Sequence, residues 1–209
     1  METPHQGTAL FHLPGLFEFY DLYAAFLPLY RAHREYFYDW CAIGSIYGAP
    51  SDCLWAGGRV EYSDRTPHEV LALTRKYGIS ARLTLSNSLL RPEHLTDPDC
   101  NALCRLFQEQ NHPQNGAIVH AELLTQYLKK NYPSLYLVSS TTKVLTDFND
   151  LQRELARPGR EGLIFHHKYN SPERQLPSGA VFVGANIVRP SALPRRALSG
   201  SMRASTPTP

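Results

Sequence analysis

The sequence predicts an α/β fold built from successive parallel βα repeats. Three observations predict it. Between Thr66 and Leu155 a helical pattern and a short apolar run alternate. The apolar runs IleSerAlaArgLeuThrLeuSerAsn (79–87), AlaIleValHis (117–120) and LeuTyrLeuValSerSerThrThr (135–142) have strand length. Each run is separated from the next by a helix, and that spacing demands a crossover rather than a hairpin.

Taken in order, residues 15–38 are aromatic-rich, with Leu16, Phe19, Tyr20, Tyr23, Phe26, Leu27 and Tyr30 near helical spacing. Pro28 lacks an N–H, so the segment is expected to break into two helical pieces, the second reaching Tyr38. TrpCysAlaIleGlySerIleTyrGly (40–48) reads as a buried strand opening into a Gly-rich loop. That loop lacks the third glycine and following helix of a dinucleotide fingerprint. Gly57 and Gly58 mark a turn after the apolar piece CysLeuTrpAla.

Thr66-Pro67-His68-Glu69 is a helix start: an N-cap threonine, proline in the first turn, and a glutamate placed for a capping box. Val70, Leu71, Leu73 and Thr74 form its face, and Gly78 ends it. A strand over 79–86 follows. Thr96 or Asp97 opens the next helix, which buries Leu103, Leu106 and Phe107. Asn115-Gly116 is a turn signal before strand 117–120. A helix over 121–130, a strand over 135–140 and a helix from Thr146 or Asp147 to Leu155 complete the pattern.

With the strand near Ile43, at least four parallel strands are expected. A closed eight-stranded barrel needs ~250 residues. The patterned part here ends at residue 157, so the expected architecture is an open α/β sheet or a partial TIM-barrel-like unit. Composition changes there too. Residues 1–157 hold 14 basic and 17 acidic residues, a net of −3; residues 158–209 hold 7 and 2, a net of +5. Seven of the 16 prolines lie in that last segment, which reads as a poorly ordered Pro/Arg-rich tail.

The overall charge of +2 argues against a nucleic-acid partner. No apolar run approaches the ~20 residues of a membrane span. The first residues lack a secretory pattern, so a cytoplasmic location is expected. Four cysteines, Cys41, Cys53, Cys100 and Cys104, are too few for a disulfide scaffold. Cys100 and Cys104 share a helix face, as metal ligands or as buried thiols; Cys41 and Cys53 would join them only if the fold brought them close.

In parallel α/β folds, ligands sit at the carboxyl ends of strands. Here those ends carry Asn87, His120 and the run Ser139-Ser140-Thr141-Thr142-Lys143. His120 could serve as a base or ligand because histidine titrates near neutrality, or it could be structural. Asn87 could hold a ligand or brace its own loop. No GxSxG elbow surrounds the serines, so no nucleophile is assigned. Lys143 would contact an anion or simply face solvent.

The order of segments resembles the front half of a collagenase-like peptidase barrel, over about residues 38–156. The segments are AspTrpCysAlaIleGlySerIleTyrGlyAlaPro, ThrProHisGluValLeuAlaLeuThrArgLysTyrGly, ArgLeuThrLeuSerAsn, GlyAlaIleValHis and LeuTyrLeuValSerSerThrThr. The resemblance implies a peptidase-like hydrolase or an iron–sulfur hydroxylase relative that binds a peptide or polar small substrate. It places Asn87, His120, Ser140 and Thr141 at the barrel mouth, with Ser139 beside them. The later strands and the iron–sulfur cysteine cluster of that superfamily should follow residue 156, yet no cysteine occurs there. No cofactor is therefore expected, and residues 158–209 read as the product of truncation or a frame change. The alternatives are a non-catalytic α/β interaction module, self-associating through exposed strand edges, or an inactive fragment.

Overall fold

The computed structural model describes residues 9–57, 65–110, 113–156 and 162–163. Six parallel strands form one sheet whose spatial order is the chain order. They are β1 (Ala9–Pro14), β2 (Cys41–Gly48), β3 (Ser80–Leu85), β4 (Gly116–Val119), β5 (Tyr136–Ser139) and β6 (Gly162–Leu163). Helices α1 (Tyr20–Ala32), α2 (Pro67–Lys76), α3 (Pro98–Glu109), α4 (Glu122–Asn131) and α5 (Phe148–Leu155) alternate with them. Winding always in one direction curls the sheet into a half-barrel. The choice between an open sheet and a partial barrel thus falls to the partial TIM-barrel-like form.

Register sorts the strand side chains into two faces. Ile46, Ala81, Leu83, Leu85, Ala117, Val119 and Leu137 belong to the main core. Against them pack Val70 and Leu71 of α2, Leu103, Cys104 and Phe107 of α3, and Leu124 and Leu128 of α4. Each fully buried leucine contributes roughly 1.5–3 kcal/mol of transfer free energy. The concave face carries the alternate residues. Ile118 and Val138, with Tyr47 and Tyr136, form a small apolar cluster there, beside Ser45, Ser80, Arg82 and Thr84.

Local chemistry explains the helix ends. The Thr66 hydroxyl accepts from the Glu69 N–H at 3.3 Å, and the Glu69 carboxylate accepts from the Thr66 N–H at 2.9 Å, so the expected capping box is formed. Gly78 has φ +67, a left-handed conformation that glycine adopts freely. Asp97 caps α3 through the Cys100 N–H at 2.8 Å, and Asp147 caps α5.

Three elements differ from expectation. β1 was not anticipated; it pairs with β2 from Ala9↔Cys41 to Pro14↔Tyr47, with a register shift between Phe11 and His12. Its run AlaLeuPheHisLeuPro is short and ends at Pro14-Gly15, so it lacks the periodicity that marked the later strands. Pro28 does not break α1. Buried Tyr23 and Leu27 precede it, and the Tyr30 hydroxyl after it donates to the Cys41 carbonyl at 3.1 Å. These anchors offset the one hydrogen bond that proline removes. The helix stops at Ala32 rather than Tyr38, and a single 3₁₀ turn follows over Arg34–Tyr36. β6 pairs with β5 beyond the expected boundary at 157; the rest of the expected tail lies outside the described residues.

Gly116 is required by its neighbour. A Cβ there would lie 2.7 Å from both the Tyr136 ring and the Tyr136 carbonyl oxygen. The carbonyl belongs to the adjacent strand and cannot rotate away. Gly116→Ala is expected to cost about 1–3 kcal/mol in chemical denaturation; a variant as stable as the parent would refute this close approach.

Candidate functional site

The strand ladders continue past β3, β4 and β5 into their polar ends. The His120 N–H donates to the Leu85 carbonyl at 3.3 Å, and the Ser140 N–H donates to the Val119 carbonyl at 3.0 Å. Ser86, His120 and Ser140 therefore keep the pleat of Thr84, Ile118 and Val138 and share the concave face. Their side chains meet through a fourth residue. Ser86 Oγ lies 2.9 Å from Ser140 Oγ. Ser140 Oγ lies 2.9 Å from Thr142 Oγ1, which lies 2.7 Å from His120 Nδ1. Ser140 Oγ also accepts from the Thr142 N–H at 3.3 Å and so caps the 3₁₀ turn Thr141–Lys143.

This chain of three hydroxyls and one imidazole joins three strand ends. Its hydrogen bonds run either way, according to the His120 tautomer. Partial burial, and then the Lys143 ammonium, lower the His120 pKa below its usual value. His120 is therefore neutral at pH 7 and can accept a proton. Just after the turn, Val144 holds φ 49. That left-handed conformation is strained for a β-branched residue, and it ends the turn abruptly.

The expected site residues divide into three groups. His120 and Ser140 meet at the mouth. Ser139 and Asn87 are committed elsewhere. Ser139 points to the outer face, where its hydroxyl donates to Glu154 Oε1 at 2.7 Å. Asn87 Nδ2 donates to the Leu54 carbonyl at 2.9 Å, and its Oδ1 accepts from the Leu89 N–H at 2.9 Å. The amide thus fastens the Leu54–Ala56 turn, whose Trp55 is buried. Thr141 is half-buried at the start of the 3₁₀ turn; the neighbouring Thr142 makes the contact to His120. Lys143 does not face solvent: Nζ sits 2.6 Å from Glu154 Oε1, with only 13% of its side chain exposed.

Comparison with protein-family models, with curated proteins and with solved structures finds no match for this chain. Its chemistry is read from the site itself. Cys53 Sγ lies 3.5 Å from Cys100 Sγ in the core, with Cys104 buried in the same cluster; Cys41 starts β2 and is not among them. Among the described residues no group of three or more His, Cys, Asp or Glu side chains is placed to hold a metal ion. Nor, among them, is any helix long and apolar enough to cross a membrane. A groove of about 570 Å³ between α3 and α4 is lined by Arg105, Gln108 and Tyr127, on the outer layer.

Sequence reasoning named Thr142 only as part of the polar run after β5; it missed Ser86 as a contributor, and it missed the inner-face residues His12, Arg82 and Thr84. One signal was available. Ser80, Arg82, Thr84 and Ser86 place a polar residue at every second position of a strand buried on both faces. Such a stripe marks an interior face that is not purely apolar.

Proposed function

We propose that this chain binds a peptide or a small polar molecule at the carboxyl ends of β3, β4 and β5, as a relative of the collagenase-like peptidases. One observation carries the reading: Ser86, Ser140, Thr142 and His120 converge from three strand ends into one hydrogen-bonded chain. Hydroxyls that both donate and accept suit amide and hydroxyl groups of a ligand. In a hydrolytic reaction His120 is the group suited to take a proton, because it is neutral at pH 7.

The test is binding, followed by NMR with a panel of short peptides and polar metabolite-sized compounds. His120→Ala and Ser140→Ala should each weaken the best binder roughly 3- to 10-fold, the value of one or two hydrogen bonds. Their melting temperatures should stay close to that of the parent. Affinities unchanged in both variants would discard this placement.

A further inference from the structure

The concave face holds a buried cation, Arg82, with no counter-charge among the described residues. Arg82 is 7% exposed. Its Nε donates to the Tyr136 hydroxyl, and its guanidinium carbon lies 4.9 Å from the Tyr136 ring centroid. That hydroxyl is 2.9 Å from Ser80 Oγ, which donates to the Gln114 carbonyl at 2.8 Å. All of these partners are neutral. Among the described residues no carboxylate pairs with Arg82. Arginine is rarely buried without a partner, since removing its charge from water is costly.

Of the other buried polar atoms without a hydrogen bond, two lie on the same face. Arg82 Nη1, His12 Nε2 and Thr84 Oγ1 are all buried without a hydrogen bond. His12 is 3% exposed and Thr84 is 9% exposed. Each lies on the concave face: His12 is in register with Ser45 of β2, and Arg82 and Thr84 alternate along β3. His12 stands opposite Ser45, and Ser45 opposite Ser80, so His12 faces the same concavity two strands away from Arg82. His12 Nδ1 sits 2.7 Å from Ser45 Oγ. With that hydroxyl donating to Nδ1, Nε2 carries the proton. Three donors then stand on one face with no acceptor.

We infer that Arg82, His12 and Thr84 form a carboxylate-binding site on the inner face of the half-barrel. The ligand is a small carboxylic acid or the C-terminus of a peptide. The inference rests on the reading that ligands enter at the strand ends, since Thr84 leads directly to Ser86 along β3. Charge selects the class. Arg82 is the one cation of the three, so a monoanion neutralises the cluster, whereas a phosphate dianion leaves a buried negative charge. A carboxylate also has lone pairs enough for all three donors.

The experiment uses the full chain at pH 8, where inorganic phosphate is mainly the dianion, and at constant ionic strength. Thermal melts and calorimetric titrations are run with acetate, alanyl-alanine, its C-terminal amide and inorganic phosphate. At least one of the two carboxylates should raise the melting temperature, while the amide and phosphate should not. Acetate acting alone assigns a small acid; a larger effect of the dipeptide assigns a peptide terminus. Arg82→Met should weaken carboxylate binding at least tenfold. Without ligand this variant should melt at or above the parent, because it removes an unbalanced charge. An unchanged response in Arg82→Met, an amide as effective as its acid, or no response to either acid overturns the inference. If Arg82→Met does not fold, Thr84→Val decides: several-fold weaker binding supports the site, and unchanged binding overturns it. Unchanged carboxylate binding in Arg82→Met, with binding still weakened in His120→Ala and Ser140→Ala, would discard this site alone; the converse would discard the mouth alone.

Discussion

Acidification from pH 7 to pH 4 is expected to remove roughly 3 kcal/mol of stability through a single residue, His12. Burial first, and then the Arg82 charge, push its pKa from 6.5 down to about 3. The unfolded chain takes up a proton near pH 6.5 that the folded chain refuses until about pH 3. Between those values the unfolded state binds more protons, so stability falls as pH falls. The contribution is fully present above pH 6.5. By pH 5 about 2 kcal/mol should be gone. Carboxylates such as Glu69, whose pKa is lowered by hydrogen bonds from Thr66, act only below the ordinary carboxylate range. The window from pH 7 to pH 5 therefore isolates histidine. Urea melts across it should show a steep slope in the parent and a flatter one in His12→Gln, which keeps an acceptor for Ser45 without titrating. Equal slopes would show that His12 is not held neutral.

Glu154→Ala should cost about 3 kcal/mol. Glu154 Oε1 receives the Ser139 hydroxyl at 2.7 Å and the Lys143 ammonium at 2.6 Å, and only 6% of the glutamate side chain is exposed. This contact ties α5 to the end of β5 and to the turn that carries Thr142. Removing the carboxylate leaves a nearly buried ammonium without its counter-charge, which costs more than the pair contributes when intact. The double variant Lys143→Met with Glu154→Leu should recover most of the loss, because it removes both desolvated charges. Denaturant melts on the parent, Lys143→Met, Glu154→Leu and the double variant close a cycle that gives the coupling. A single-variant cost below about 1 kcal/mol would place the pair in the class of exposed salt bridges instead.

The helices and the later strands were legible because their signals are local. The capping box at Thr66–Glu69 and the left-handed Gly78 follow from the preferences of a few adjacent residues. β1 escaped because a six-residue strand ending in Pro14 owes its place to the ladder with β2. Pro28 misled because a local rule was overridden by the burial of Tyr23 and Leu27.

The site was partly legible for the same reason. Alternation along β5 places Ser140 on one face and Ser139 on the other, but the sequence does not say which face is concave. Asn87 and Ser140 looked equivalent as polar strand ends. Their difference depends on what approaches them: the Leu54 carbonyl in one case, Ser86 and Thr142 in the other.

Residue order alone thus determined the parallel βα repeats, their helix starts and the strand ends where polar groups collect, since all of these rest on periodicity and capping within a few positions. Only the tertiary structure decided that the sheet curls in chain order, that His120 and Ser140 meet through Thr142, and that Arg82 and His12 are buried on the same face. Those outcomes come from register between strands distant in sequence, and from which charges lose their water together.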